Sequence, residues 1–276
     1  MLVSRVRGLL FLAAVLFVAG GAHAHDLWIV SGRYWLEPFE TTRVFVNSGD
    51  VYPESLTLVS ERRVGAVAVH GPEGVRSLSD FRIDGKSLSF ELTARSPGSR
   101  VLALSTAPRR VRLRPAEFGV YLEENGLDSI RELREELEEA DAPALERYSK
   151  FAKAFVDIGD VESMDQDAPW SRIVGHPIEI VPQQNPNRLV SGGQLDVQVL
   201  YDSEPLAGAP LRAGKAGTGT EEVILTTDES GNATATFTSD GRWYLRTIHM
   251  VRLEDDTEAE WESFWATMTF EVGVTR

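Results

Sequence analysis

The sequence predicts a mainly β protein: two β-sandwich domains, Ig-like or prealbumin-like, with a two-helix insertion between them. Three observations predict it. Short alternating segments fill residues 26–114 and return after Trp170. Gly, Pro, Asn and Asp clusters divide them at roughly the 8–12 residue spacing of a sandwich. Between the two stretches the apolar period lengthens to three or four, as in amphipathic helices. The predicted segments are a leader at 1–24, a first sandwich at 25–116, a helical hairpin at 117–160 and a second sandwich at 161–276.

The opening residues stand apart from that fold. Arg5 and Arg7 precede an apolar run from Gly8 to Gly20, and the small residues Ala22 and Ala24 follow. This is the pattern of a cleavable export signal, and its run is shorter than the roughly 20 apolar residues that span a bilayer. Cleavage after Ala24 makes His25 the first residue, so that an α-amine and an imidazole are placed to hold one metal ion together. Cleavage after Ala22 leaves His23-Ala24-His25 instead, with a histidine in third place, although Ala22 and Ala24 fit the small-x-small rule better. The expected address is the periplasm, with no membrane span after cleavage. Loss of Arg5 and Arg7 takes the formal charge from −14 to −16. That balance argues against nucleic acid and anionic lipid as partners and is compatible with cations.

In the first sandwich, Thr42-Arg43-Val44-Phe45-Val46, Leu88-Ser89-Phe90-Glu91-Leu92 and Val101-Leu102-Ala103-Leu104 alternate as half-buried strands. Turn signals lie at Asn47-Ser48-Gly49-Asp50, Gly71-Pro72, Asp84-Gly85 and Pro97-Gly98. The period changes near Phe118. Ile130, Leu133 and Leu137 predict one helix, with Ser129 and Glu132 as a capping box. Leu145, Tyr148, Phe151 and Phe155 predict a second helix, entered through Asp141-Ala142-Pro143. The acidic run 131–139 reads as a solvated helix face.

Strands resume at 177–182 and 194–201, and Asp228-Glu229-Ser230-Gly231 predicts a turn between Val223-Ile224-Leu225 and Ala233-to-Phe237. About 50 residues here resemble prealbumin-like and carboxypeptidase-regulatory modules, which implies architecture and not chemistry. The longest predicted strand runs from Gly241 to Leu253, with Trp243, Leu245, Thr247 and His249 on one face. His249 is the second imidazole available to a site begun by His25. His70, at a strand end, and His176, before Pro177, have no second donor at ligand spacing. The acidic loop 254–260 reads as a hairpin tip.

Cys is absent, which removes disulfides, thiolate sites and cysteine nucleophiles. No nucleophile elbow, phosphate-binding glycine loop or His-Glu-x-x-His pattern is present, so an enzyme is the weaker expectation.

The His25-Asp26-Leu27-Trp28 start resembles that of the NikM-like exported bacterial family, the periplasmic component of nickel and cobalt uptake. So do Phe118-x-x-Tyr121-Leu122-Glu123-Glu124-Asn125-Gly126-Leu127, Glu146-to-Lys153, Glu179-Ile180-Val181-Pro182 with Asn185-Pro186, Gly241-Arg242-Trp243 with His249-Met250, and Trp261-to-Thr267. The resemblance implies a metal ion held by His25 and His249, with Asp26 as the nearest carboxylate and a membrane metal-uptake complex as partner. Some relatives carry a histidine where this chain has Asp50, which would make a harder and weaker site here, or none at all. Nitrogen donors favour nickel, cobalt or copper over magnesium or calcium. Three classes stand in order: a metal-binding accessory to uptake, a structural module of the envelope, and a copper-dependent oxidative enzyme using the N-terminal histidine.

Overall fold

A computed structural model describes residues 25–93, 95–160 and 168–273; the predicted leader lies outside them. In chain order the first strands are β1 (Asp26–Ser31), β2 (Trp35–Leu36), β3 (Thr41–Gly49), β4 (Val64–Gly71), β5 (Gly74–Ser77), β6 (Arg82–Asp84), β7 (Ser87–Thr93), β8 (Gly98–Thr106) and β9 (Arg109–Leu113). Helices α1 (Pro115–Glu124) and α2 (Asp128–Glu136) follow, and then strands β10 (Ala144–Ile158), β11 (Ile178–Pro182) and β12 (Gln194–Tyr201). The chain ends through β13 (Glu204–Pro205), β14 (Pro210–Lys215), β15 (Glu221–Thr226), β16 (Asn232–Thr236), β17 (Gly241–Arg252) and β18 (Trp261–Val272).

The protein is mainly β, as expected, and its sandwiches share a layer. A ten-stranded sheet runs β15-β14-β17-β18-β10-β8-β4-β5, with β2 and β9 also on β10. One four-stranded sheet, β1-β3-β7-β6, covers part of one face; β11, β12, β13 and β16 form another that covers the opposite face. The central sheet thus takes strands from all three predicted segments. Beside the first small sheet, α1 and α2 bury Phe118, Tyr121, Leu122 and Ile130 against Ile248, Met250, Trp261 and Trp265.

The predicted second helix is instead the 15-residue strand β10. Its apolar spacing mimics a helix because both faces of the strand are buried. Phe151 and Phe155 enter the core under the β11–β12 sheet, while Ala152, Ala154, Val156 and Ile158 enter the core under β1, β3 and β7. The intervening charges face partners and not water. Lys153 pairs with Glu179, both nearly inaccessible, and Asp157 accepts from Ser99 Oγ at 2.7 Å and from Asn185 Nδ2 at 3.0 Å.

Two smaller expectations also change. Helix α2 starts at Asp128 with no side-chain cap, so Ser129 lies inside it. The 228–231 turn does not close a hairpin, since β15 borders the central sheet while β16 pairs with β12. Its Asp228 Oδ1 accepts from the backbone N–H groups of Ser230 and Asn232 and steers the crossing. The strands predicted at 194–201 and 241–253 form as β12 and β17.

His176 is a working part of the core. Its ring packs 5.2 Å from Phe151, and its pKa falls to about 4, by burial first, with nearby Lys153 and His70 adding to the effect and Glu179 opposing it. Between that value and the ordinary 6.5 the unfolded chain binds the extra proton, so stability drops as pH falls through this window. His176→Phe should remove about 2–3 kcal/mol of the loss between pH 7 and 4.5, read by urea unfolding at both pH values. Parallel pH profiles for the two proteins would contradict this.

Candidate metal site

β1 and β3 pair antiparallel with Asp26 opposite Gly49, and one step further along that register sets His25 opposite Asp50. Their side chains meet, His25 Nδ1 lying 2.6 Å from Asp50 Oδ1. Gly49 makes room for the return of the chain, because a Cβ there would come within 2.6 Å of the Glu54 carbonyl oxygen. The loop is fastened by Glu54 N–H to Val51 O at 2.7 Å and Leu56 N–H to Ser48 O at 2.8 Å.

Asp26 faces the other way along β1. Its carboxylate is 3.7 Å from Arg246, whose guanidinium also binds Glu221 and donates to Asn125 Oδ1 at 2.8 Å. Arg212 closes the network on Glu221 at 2.6 Å. Burial raises the Asp26 pKa against the pull of Arg246 and Lys150, and Asp26 Oδ1 is buried with no hydrogen-bond partner. The Lys150 ammonium donates to the His25 carbonyl oxygen. Burial lowers its pKa to about 8, with Asp26 opposing the shift.

Sequence reasoning missed Lys150, Arg246 and Glu221. Lys150 was hidden by the helical reading of 145–155. Arg246 was visible only as a residue on the face of β17 opposite His249.

His249 does not join this group. Arg246 faces β1, and three residues of strand alternation turn His249 to the opposite face of the central sheet. There its ring packs 4.4 Å from Tyr201, which in turn lies 5.3 Å from Phe264. Burial lowers its pKa. The structure therefore brings His25 and Asp50 into contact, sets Asp26 beside them on Arg246, and leaves the second imidazole behind the sheet.

His25 and Asp50 are nitrogen and oxygen donors of the kinds metal ions take, and their 2.6 Å contact is that of a hydrogen bond. Nitrogen and oxygen ligands bind late first-row ions at about 2.0–2.2 Å. Two such donors on one ion stand about 3.0–3.4 Å apart, so an ion entering here would part the pair and replace its hydrogen bond. Among the described residues no group of three or more His, Cys, Asp or Glu side chains gathers into a cage. A third protein donor at this place would be the α-amine of His25 itself.

A family model described as a domain of unknown function (DUF4198) matches residues 22–251. No curated protein matches the chain. Among solved structures, the chain is similar to the D0-D1 domain of intimin at 13% identity and TM-score 0.22, over 90% of this chain and 98% of that one. It is similar to the Escherichia coli adhesin FdeC at 13% identity and TM-score 0.25, over 94% of this chain and 68% of that one. A trypsin-activated alpha-2-macroglobulin from Escherichia coli matches at 9% identity and TM-score 0.23 over 90% of this chain, which spans 15% of that protein.

Proposed function

The chain belongs to the DUF4198 family, whose description leaves function open, and we propose on that premise that it is an exported periplasmic protein that captures one late transition-metal ion. The metal is cargo, held by the α-amine and Nδ1 of a His25 freed by cleavage after Ala24 and by the Asp50 carboxylate. The observation that carries this reading is the 2.6 Å contact between His25 Nδ1 and Asp50 Oδ1. Nδ1 is also the ring nitrogen that can close a chelate with the residue's own amine. Asp26, turned to Arg246, balances charge and is not a ligand. Lys150 fixes the His25 backbone through its carbonyl oxygen.

Two nitrogens and one carboxylate oxygen suit nickel, cobalt or copper. The resemblance to nickel and cobalt uptake components favours a role beside a membrane uptake complex. With His249 on the far face of the central sheet, the two-histidine site expected for metal capture and the two-imidazole arrangement behind the oxidative-enzyme reading both lose their second ligand.

The test is a calorimetric titration of Ni, Co, Cu and Zn into protein beginning at His25 and into the same protein carrying one additional N-terminal alanine. The first should bind one equivalent of at least one ion, and the second at least 100-fold more weakly. Asp50→Asn should cost about 10- to 100-fold in affinity. Equal binding by the authentic and extended proteins would sink the proposal, and N-terminal sequencing of exported protein checks the cleavage point.

A further inference from the structure

On the other side of His25 from Asp26 lies a cavity of about 360 Å³ with a different character. Arg63, Arg109, Arg110 and Lys150 line it, and no Asp or Glu does among the described residues. In a chain with 42 acidic and 28 basic residues, such a segregation of cations calls for a cause. Arg63 is fixed at the cavity wall, its Nε and Nη2 atoms buried beside the Tyr148 ring. Those two nitrogens are closed to a ligand, so Arg63 meets the cavity through the rest of its side chain.

The fold builds this corner deliberately. β9 pairs with β10 so that Arg109 lies opposite Tyr148. Ala107 N–H donates to the Arg63 carbonyl at 2.7 Å and ties the start of β4 to the end of β8. The Arg63 guanidinium carbon and the Lys150 ammonium each sit 5.3 Å from the centre of the Tyr148 ring. Arg110 is engaged by Glu258, whereas Arg109 has no ion-pair partner among the described residues. Leu58, Val111 and the Tyr148 ring give the cavity apolar walls beside its cations.

We propose that this cavity binds a small organic acid, its carboxylate held by the guanidinium groups of Arg63 and Arg109, and its carbon skeleton against Tyr148 and Val111. The volume lies at the small end of the 300–1,000 Å³ range of ligand pockets, which fits an acid of a few carbons. Apolar walls beside the guanidinium favour a carboxylic acid over inorganic phosphate. This site does not depend on a metal at His25.

Calorimetric titration of acetate, succinate, citrate and inorganic phosphate into metal-free protein at constant ionic strength tests it. At least one carboxylate should bind with one-to-one stoichiometry. Arg63→Gln should weaken it at least tenfold and the exposed Arg109→Gln severalfold. Arg62→Gln should leave it unchanged, and because every titration is made on metal-free protein the result does not depend on the metal site. Should Arg63→Gln fail to fold, Arg109→Gln alone decides. Absence of carboxylate binding, an affinity left unchanged in both the Arg63 and Arg109 variants, or tighter binding of phosphate than of every carboxylate would overturn the assignment.

Discussion

Glu179→Ala is expected to destabilise the protein by about 3–5 kcal/mol, the cost of leaving a buried charge without its partner. The Lys153 ammonium and the Glu179 carboxylate are 4% and 1% exposed, so water cannot take the place of either. Glu179 also collects three backbone donors, with Val174 N–H at 3.1 Å, Gly175 N–H at 2.7 Å and His176 N–H at 2.8 Å from Oε1. Alanine would strand all three along with the lysine. Glu179→Gln keeps an acceptor for the loop and loses the charge, so it should cost less than the alanine variant. The pH dependence follows with its sign. Burial alone would raise the Glu179 pKa, but Lys153 and the N–H donors bring it below the ordinary 4.5. Its contribution is full above that ordinary value and fades as pH falls through the lowered one. Urea unfolding of the three proteins at pH 7 and pH 4 measures both effects. A loss under 1 kcal/mol for Glu179→Ala at pH 7 would refute the account.

Phe155→Ala should cost about 3–5 kcal/mol, the usual price of a buried aromatic plus the cavity it leaves. Phe155 is 1% exposed in the core under β11 and β12. The adjacent Val156 is fully buried in the core on the other face of the same strand. Because β10 belongs to both cores, damage to one should lower the stability of the other. Trp28 reports on the β1 side and Trp243 on the β11–β12 side. Variants keeping only one of these tryptophans should show coincident unfolding curves, both shifted by Phe155→Ala to the same extent. Two separated transitions, with only the Trp243 signal moved, would mean that the halves are independent after all.

The parts of the fold that were legible in the sequence are those where one side of a strand meets water or a small sheet. β12 shows clean alternation, exposed Gln194 and Asp196 against buried Leu195 and Val197, and its limits were readable. β10 was not legible. A strand buried on both faces has no polar stripe to set its period, and its charges are paired only by residues far along the chain, such as Glu179 and Asn185. The 228–231 crossing was half legible, since turn chemistry announces a reversal but does not say which sheet receives the next strand.

At the site the division is similar. His25 and Asp50 meet because they stand opposite each other at the end of one strand pair, a relation the sequence did not show, since Asn47-Ser48-Gly49, expected as part of a turn, completes β3. His249 was assigned by chemistry alone. Its parity on β17 places it with Trp243 and Leu245, and only the sheet order reveals that their face looks away from β1. Arg63 left no signal, because nothing in the sequence shows that β9 and β10 bring Arg109 and Lys150 to its side.

The threonine hydroxyls of β18 fasten β1 to the central sheet, Thr267 Oγ1 donating to Leu27 O at 2.6 Å and Thr269 Oγ1 to Ile29 O at 2.5 Å. These bonds span 240 residues of sequence, nearly the whole described chain. A chain is synthesised from its N-terminus, so the strand that carries His25 is made early and finds its anchor only when the final strand has been added. β1 can pair with β3 long before that, but its floor is missing. The strand that carries His25 is thus seated late in the life of the molecule, and the proposed metal capture would wait until folding has reached the C-terminal strand.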